Sequence, residues 1–202
     1  MSQEPGWLRP HGEPWKRVSE RLVYDNPWIT VTEHQAVAPT GKSAIYGVVS
    51  FKNLAMAVLP LFDDGSTVLV GQHRFAHRDY SWEIPEGGGP RDVDPLESAK
   101  RELREEAGLE AAQWLPVMKV QLSNAITDEI AIGYIATGLS PVPTDPDETE
   151  ELALVRVPFR EALEAALAGQ LPDVMTVAML LRAYHMARER ALPDALSRAM
   201  LG

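Results

Sequence analysis

Hydrophobic and polar residues alternate along much of the first half of the chain, a pattern that is typical of half-buried β-strands. The strand-like segments are SERLVYDN, WITVTEHQAV, AIYGVVSF, LAMAVLPLF and STVLVGQHRF. Turn-forming residues separate them, most clearly PTGK at Pro39 to Lys42 and DDG at Asp63 to Gly65. The pattern predicts a series of strands with hairpins at these two turns.

The pattern of hydrophobic and polar residues changes after STVLVGQHRF. The glycine- and proline-rich run IPEGGGPRDVDP is expected to interrupt the strands, and a helix follows it. Two strand-like runs, VMKVQL and EIAIGYIATGL, precede a polar loop, SPVPTDPDETEE, and a last strand, LALVRVPF. The final segments, REALEAALAGQ and DVMTVAMLLRAYHMARERAL, have helical periodicity. These elements together predict a mixed α/β chain.

The distribution of these elements predicts three regions. Residues 1–15 are rich in proline and glycine and are expected to form a flexible tail. Residues 16–52 form an all-β section, interpreted as a separate layer or a dimerisation element. Residues 53–202 carry both strands and helices and are expected to form the main domain, ending in helices. The chain of 202 residues, 45% of them hydrophobic, is long and apolar enough for a substantial core.

Composition narrows the functional classes. The net charge of −10 weighs against a protein that binds nucleic acid through a basic surface, but it is compatible with small phosphorylated substrates if a metal ion supplies positive charge. The absence of cysteine excludes disulfides and thiolate metal sites. The N-terminal region has no apolar run typical of a signal peptide, and LAMAVLPLF is too short to cross a bilayer. A cytoplasmic location is therefore expected.

The segment DPLESAKRELREEAGL has clear helix boundaries. Asp94 is a favoured N-cap, Pro95 suits the first helical position, and Gly108 suits the position after the last turn. The predicted helix therefore runs from Pro95 to Ala107. Its apolar side chains form one narrow stripe, which consists of Leu96, Ala99, Leu103 and Ala107.

A second face of this helix carries carboxylates. Glu102, Glu105 and Glu106 lie within about one quadrant. Arg101 can pair with either Glu97 or Glu105, each four residues away. Like charges at this spacing repel each other by a few tenths of a kcal/mol per pair. Two interpretations are open: a solvated acidic face, or an oxygen-rich site for a divalent cation. The glycines Gly87 to Gly89 favour the second, because they bring bare backbone close to the helix.

The stretch from Gly87 to Leu109 resembles the Nudix box. That pattern is a Gly, five residues, a Glu, seven residues, Arg-Glu, an aliphatic residue, any residue, Glu-Glu, any residue, a Gly and an aliphatic residue. The run RELREEAGL, which begins at Arg101, matches its closing part without a mismatch. One position departs from the pattern, since Val93 stands where the family usually has Glu.

The resemblance extends beyond the box, over roughly residues 17–170. GQHRF followed by SWEIPEGG is similar to the Gln-x-Arg and Trp-Glu-x-Pro-x-Gly segment of the ADP-ribose pyrophosphatase branch, and DETEEL also fits. Classical members carry Ser-Pro-Gly some residues past the box, where this chain has SNAITDE at Ser123 to Glu129. The resemblance to this branch implies ADP-ribose as the first expected substrate, and the departure at SNAITDE leaves other nucleotide sugars as the next candidates.

The resemblance implies a fold and an activity. The expected fold is an α/β/α sandwich with a mixed sheet, preceded by a small antiparallel β section. The expected reaction is hydrolysis of the pyrophosphate bond of a nucleoside diphosphate linked to another moiety, with Mg²⁺ or Mn²⁺ as cofactor. The products would be a nucleoside monophosphate and a sugar phosphate. A homodimer is expected, in which the N-terminal β section lends residues to the partner's site, and neither nucleic acid nor membrane is expected as a partner.

The family's metal positions map onto the acidic helix and its surroundings. Glu102 and Glu106 would be the main ligands, and Glu105 would support or share a metal. The backbone carbonyl of Glu86, just before the first glycine, is another ligand position. Glu150, in the loop after the box, would complete a metal site.

The catalytic set implied by the resemblance consists of Glu148, Glu105 and Arg101. Glu148 would activate the attacking water, because glutamates that hold metal are poor bases. The competing interpretation of Glu148 and Glu150 is that these proline-flanked acids are merely solvated.

Substrate-binding positions are assigned in the same way. Arg74 would bind a phosphate through its planar guanidinium, or would form an ion pair with Glu83. Trp28 and Tyr46 would stack on a nucleobase, or would belong to the core. The remaining positions in this set are Glu83, Gly87 and Gly88.

Two other functions are alternatives to this hydrolase. A non-catalytic Nudix-fold nucleotide sensor or interaction protein is favoured only by Val93, because the Arg-Glu and Glu-Glu pairs of the box are intact. A housecleaning hydrolase of oxidised nucleotides or dinucleoside polyphosphates is disfavoured by the N-terminal β section and by SWEIPEGG.

Overall fold

The computed structural model describes residues 5–144 and 151–202, which divide into two units. The first unit runs to Lys52 and includes the later segment Ser123–Asp128, and the second contains the remaining residues. The division after Lys52 falls where the all-β section was expected to end. The assignment of residues 123–128 to the first unit was not expected.

The first unit is built on a three-stranded antiparallel sheet in the order β1-β2-β3. Its strands are β1 (Lys16–Asp25), β2 (Ile29–Val37) and β3 (Ser43–Phe51), and a short 3-10 turn at Gly6–Leu8 precedes them. The predicted hairpin at PTGK is confirmed, since the Ala38 amide donates to the Lys42 carbonyl over 2.8 Å. Gly41 in this turn has φ 84°, a conformation that glycine adopts without strain.

The segment Ser123–Asp128 packs on the third strand of this sheet. Thr127 forms a parallel bridge with Val49, and the Asp128 carboxylate accepts from the Phe51 amide over 2.9 Å. The Tyr46 hydroxyl donates to the Ala125 carbonyl. The divergent SNAITDE run is therefore part of the first unit in all but its last residue.

The second unit contains two sheets. The larger sheet has the order β7-β4-β9-β8, with β4 and β9 parallel and the other pairs antiparallel. The smaller sheet has the order β10-β5-β6 and is antiparallel. The strands are β4 (Asn53–Pro60), β5 (Ser66–Arg74), β6 (Asp79–Glu83), β7 (Glu86–Pro90), β8 (Leu109–Gln121), β9 (Ile130–Pro141) and β10 (Ala153–Pro158).

Four helices among the described residues cover these sheets. They are α1 (Pro95–Ala107), α2 (Phe159–Leu167), α3 (Val174–Arg188) and α4 (Asp194–Leu201). Helix α1 packs through one apolar cluster and the other three helices through another. This arrangement confirms the expected mixed-sheet fold with helices on both sides. Within residues 5–144 and 151–202, no helix has the length and apolar character needed to span a membrane.

Strand β4 explains why LAMAVLPLF is a continuous apolar run. Met56 and Val58 belong to the cluster under α1, whereas Ala57 and Leu59 belong to the cluster under the C-terminal helices. Both faces of the strand are therefore buried, and the strand needs apolar residues at every position. Strand β1 shows the opposite situation, because all ten of its residues are exposed.

Helix α1 begins and ends where it was predicted. The Asp94 side chain accepts from the Leu96 amide over 3.0 Å, Pro95 is the first helical residue, and Gly108 adopts φ 61°. Ala99 and Leu103 of the predicted apolar stripe are fully buried. The helix position is therefore fixed by local signals and by the core beneath it.

The expectation that the glycine-rich run interrupts the strands is wrong. Residues Glu86–Pro90 form β7, which pairs with β4 along the edge of the larger sheet. Glycine is a poor strand former because it has no side chain to pack, but here close packing against α1 requires it. A Cβ at Gly89 would overlap the Ser98 side chain, and a Cβ at Gly87 would overlap the Glu102 carboxylate.

Two smaller expectations also need correction. The DDG turn forms, with the Phe62 amide donating to the Ser66 carbonyl over 3.0 Å, but β4 and β5 then separate into different sheets. Strand β8 begins directly after α1 rather than at VMKVQL, and α4 was not predicted. In each case the contacts that the segment makes in the folded chain, rather than its local residue pattern, determine its secondary structure and the sheet to which it belongs.

The DDG turn is also the docking place of α4, which leads to a first prediction. Gly65 has φ 78°, and a Cβ there would overlap the backbone of Ala199. We expect Gly65→Ala to lower the free energy of unfolding by about 2–4 kcal/mol, from the left-handed φ together with the overlap. Urea unfolding measures this loss.

Gly169→Ala is the matched control, because Gly169 has φ 72° but no atom within 4 Å of the added Cβ. It should lose only about 1–2 kcal/mol from the backbone conformation. If the two variants lose the same free energy of unfolding, α4 moves away from the methyl group added at Gly65 at no measurable cost in stability.

Candidate active site

The carboxylates of α1 are the centre of the site. Glu102 and Glu106 lie one turn apart and are only 6% and 5% exposed. The side chain of Glu105 is 31% exposed, so it lies at the rim. The interpretation of this face as fully solvated is therefore incorrect for Glu102 and Glu106.

Strand β7 brings backbone against these carboxylates. The Glu86 amide donates to Oε2 of Glu106 over 2.9 Å. Gly87 lies so close to the Glu102 carboxylate that no side chain fits between them. The two buried glutamates thus lie against a strip of bare main chain.

Arg101 connects this strip to the helix. Its guanidinium donates to the Gly88 carbonyl over 2.8 Å and to the carboxylates of Glu102 and Glu105. The predicted pairing with an acid one turn away is confirmed at Glu105, and the contact with the neighbouring Glu102 was not predicted.

Arg74 lies at the end of β5 and contacts Glu86 at the start of β7. Its Nε lies 3.0 Å from both oxygens of Glu83, and Nη2 contacts Glu83 and lies 2.9 Å from Glu86. The ion pair with Glu83 that was one alternative for Arg74 is thus present. Phosphate binding by Arg74 stays a prediction.

The two acids around Arg74 titrate differently. Burial raises the pKa of Glu83, but the hydrogen bonds and charge of Arg74 outweigh it, and the pKa lies below its usual value. Burial raises the pKa of Glu86 well above its usual value, and the charges of Asp173 and Glu83 add to this effect. Burial therefore disfavours the charged form of Glu86, whereas Arg74 stabilises the charged form of Glu83.

Asp173 was missed in the sequence. It caps α3 by accepting from the Thr176 amide over 2.6 Å, and its charge acts on Glu86. The pattern of an Asp three residues before a Thr, at the start of an apolar helical run, is the signal of this cap. The sequence offers no signal that the cap lies beside β7.

The donor atoms of this site suit a hard divalent cation. Buried carboxylate oxygens and a nearby main chain are what Mg²⁺ and Mn²⁺ prefer, and no soft ligand is needed. Among the described residues, no group of three or more acidic or histidine side chains is arranged as a ready metal site. Arg101 and Arg74 occupy carboxylate oxygens of Glu102, Glu105 and Glu86.

Two of the remaining predicted residues belong to the first unit, and two lie outside the described residues. Trp28 and Tyr46 belong to the first unit, where Trp28 is 68% exposed and Tyr46 packs edge-on against Trp15 at 5.3 Å. Glu148 and Glu150 lie outside the described residues. The structure therefore brings together Glu102, Glu105, Glu106, Arg101, Glu86, Gly87, Gly88, Arg74 and Glu83.

Comparison with known proteins identifies the family of this chain. Residues 52–176 match the model of the NUDIX domain, and residues 15–49 match that of the nucleoside diphosphate sugar hydrolase N-terminal domain. The chain therefore belongs to the Nudix hydrolase family, and its reaction is the hydrolysis of the pyrophosphate bond of a nucleotide sugar with a divalent metal.

Individual relatives span nearly the whole chain. The chain is 30% identical to an ADP-ribose pyrophosphatase of Mycobacterium tuberculosis over 90% of its length and 89% of the relative. It is 26% identical to an ADP-ribose pyrophosphatase of Bacillus subtilis and 27% identical to a methanol dehydrogenase activator of Bacillus methanolicus, each over 80% of this chain and 88% of the relative.

The fold also has solved counterparts. A crystal structure titled as an ADP compounds hydrolase superposes with a TM-score of 0.80 at 18% identity, covering 90% of this chain and 98% of the other. At this identity the likeness concerns the fold alone.

The close approach of β7 to α1 leads to a second prediction. In Gly87→Ala the new methyl group would displace the Glu102 carboxylate, the flexible end of a side chain. We expect hydrolysis to fall at least tenfold, while the free energy of unfolding changes by less than about 1 kcal/mol. Steady-state kinetics and urea unfolding measure the two effects.

Gly47→Ala provides the control, because Gly47 is also a strand glycine and no atom lies within 4 Å of its added Cβ. This variant should keep most of its activity. If both variants keep their activity, the position of Glu102 is not important for catalysis.

Proposed function

We propose that the protein is an ADP-ribose pyrophosphatase that converts ADP-ribose to AMP and ribose 5-phosphate. The observation that carries this proposal is the pair of buried carboxylates, Glu102 and Glu106, held against the bare main chain of β7. Two relatives that match most of the chain are named ADP-ribose pyrophosphatases. Other nucleotide sugars come next, because SNAITDE replaces the Ser-Pro-Gly of the resembled pattern.

Glu102 and Glu106 would hold Mg²⁺, or Mn²⁺ in its place, and Glu105 at the rim would share it. The Glu86 carbonyl is a further ligand position, supported by the contact between the Glu86 amide and Glu106. A bound divalent ion would neutralise phosphate oxygens and lower the pKa of the attacking water. The buried carboxylates have the hard oxygen donors that this role needs.

Arg74 is the residue proposed to orient the pyrophosphate. Glu83 and Glu86 fix its guanidinium on β7, and charged hydrogen bonds from a fixed guanidinium suit phosphate oxygens. The bare main chain at Gly87 and Gly88 lets phosphates approach without a steric clash. Arg101 acts on the same strip by holding the Gly88 carbonyl.

The general base is assigned to Glu148 by the match to the family loop, and Glu150 is assigned to the metal site. Both lie outside the described residues, so the assignment rests on the sequence. It is supported by the ion pairs with Arg101, which occupy carboxylate oxygens of Glu102 and Glu105.

Trp28 and Tyr46 are proposed to stack on the nucleobase. The 68% exposure of Trp28 supports this role, since a core tryptophan would be buried. Tyr46 is oriented by its hydroxyl contact with Ala125 and by the edge of Trp15.

Product analysis tests the proposed reaction. Protein and Mg²⁺ are mixed with ADP-ribose and with a panel of other nucleotide sugars, and Glu106→Gln is the control. We expect AMP and ribose 5-phosphate from the wild type and at least a hundredfold slower turnover in the variant, because a buried metal ligand is lost. In the same assay, Glu148→Gln should lower kcat and remove the acidic limb of the pH profile, whereas Glu150→Gln should raise the Mg²⁺ requirement.

Turnover of another nucleotide sugar but not of ADP-ribose would contradict the substrate. Ligand binding without turnover of any substrate would contradict the enzymatic role and favour a nucleotide sensor. Equal activity of Glu106→Gln and the wild type would contradict the assignment of the metal site.

We further propose a homodimer formed through the N-terminal β section. Strand β1 lies at an edge of its sheet, and its apolar residues Val18, Leu22, Val23 and Tyr24 are between 52% and 67% exposed. Exposed apolar strands of this kind are typical of surfaces that are covered by a partner.

Sedimentation velocity tests the dimer. We expect a species of twice the chain mass of 22.3 kDa, and Leu22→Asp should shift it toward the monomer because a carboxylate would be buried in the interface. A wild-type monomer at micromolar concentration would contradict this proposal.

A further inference from the structure

Arg101 forms an unusual set of contacts for a helix-surface arginine. Its guanidinium donates at once to a buried carboxylate, Glu102, to a rim carboxylate, Glu105, and to a main-chain carbonyl, Gly88. The exposed fractions of the two carboxylate side chains are 8% for Glu102 and 31% for Glu105. The three acceptors therefore form a series from the interior to the rim of the site.

The innermost of these contacts has an electrostatic function. Glu102 and Glu106 lie one turn apart and are both buried, and a buried carboxylate requires a nearby positive charge or strong hydrogen bonds. Glu106 receives the Glu86 amide, a neutral donor. The charge of Arg101 acts directly on Glu102.

A divalent cation and a guanidinium compete for the same oxygens. Arg101 occupies Oε1 of Glu102, which removes one of the two oxygens that this carboxylate can offer to a metal. A guanidinium and a divalent ion on the same carboxylate also repel each other. The two outer acceptors, Glu105 and Gly88, allow Arg101 to give up Glu102 without leaving the site.

We propose that Arg101 is an exchangeable counter-cation, which neutralises Glu102 in the metal-free protein and withdraws to Glu105 and the Gly88 carbonyl when a divalent ion binds. This inference rests on the metal site of the proposed function. It makes Arg101 a positioning residue that lowers the affinity for the metal while it keeps the acidic helix folded in the absence of metal. The departure at Val93 is not part of this argument.

Arg104 provides a matched comparison on the same helix. It pairs with Glu110 at 3.7 Å, and its side chain is 57% exposed. None of its described contacts involves Glu102 or Glu106. A neutral residue at position 104 changes the net charge of the helix as much as one at position 101, but leaves Glu102 paired.

The test is Mn²⁺ binding, measured by electron paramagnetic resonance of free Mn²⁺, for wild type, Arg101→Gln, Arg101→Lys and Arg104→Gln. We expect Arg101→Gln to bind Mn²⁺ roughly fivefold more tightly than wild type, because the competing cation is removed. Arg101→Lys, which keeps the charge, and Arg104→Gln should stay within about twofold of wild type. Arg101→Met is an independent second variant if the glutamine variant folds poorly.

Thermal unfolding supplies a second readout. In EDTA, Arg101→Gln should unfold at a lower temperature than wild type, since the carboxylates are no longer neutralised. Saturating Mn²⁺ should raise its unfolding temperature by more than it raises that of wild type.

Weaker or unchanged Mn²⁺ binding in Arg101→Gln would overturn the inference, because an arginine that only orients the glutamates predicts weaker binding. The same holds if Arg104→Gln gains as much affinity as Arg101→Gln, since the effect would then come from net charge. Glu106→Gln distinguishes a failure of the Arg101 inference from a failure of the proposed metal site. If this variant binds Mn²⁺ as tightly as wild type, the assignment of the metal site is wrong.

Discussion

The structure of the catalytic region depends on the close contact between β7 and α1. A glycine-rich strand lies against the face of a helix that carries two buried glutamates, and a Cβ at Gly87 would overlap the Glu102 carboxylate. This contact places the amide of Glu86 on Glu106 and the carbonyl of Gly88 on Arg101. The apolar stripe of α1, with Ala99 and Leu103 fully buried, keeps the helix at this distance. Core packing therefore sets the geometry of the charged atoms.

Two arginines pair with four carboxylates of the site. Arg74 holds Glu83 and Glu86, and Arg101 holds Glu102 and Glu105. Burial makes each of these pairs matter more than a surface pair, because fewer water molecules can replace a lost partner. Burial is the main cause of the raised pKa of Glu86, and the charges of Asp173 and Glu83 add to it. A protein that binds a divalent metal and a pyrophosphate needs carboxylate oxygens for the metal and fixed guanidinium groups for the phosphates.

The acidic helix was predictable because its signals are local. Asp94, Pro95 and Gly108 act on the backbone next to them, so the helix ends could be assigned without knowledge of the fold. The strand formed by Glu86–Pro90 was not predictable in this way, because its glycines disfavour a strand and only β4 and α1 stabilise it. Helix α4 and the separation of β4 from β5 have the same origin, since both depend on contacts between segments distant in the chain.

The amino-acid sequence by itself determined the reaction class, the limits of the acidic helix and the identity of its carboxylates, because a specific motif and local capping chemistry carry this information. Only the tertiary structure decided which carboxylates are buried, that Glu105 stays at the rim, and that Arg101 contacts Glu102 as well as Glu105. It also placed Asp173 within electrostatic range of Glu86 and assigned residues 123–128 to the N-terminal sheet. Burial and electrostatic range depend on distances between segments far apart in the chain, and those distances are set by the packing of the folded core.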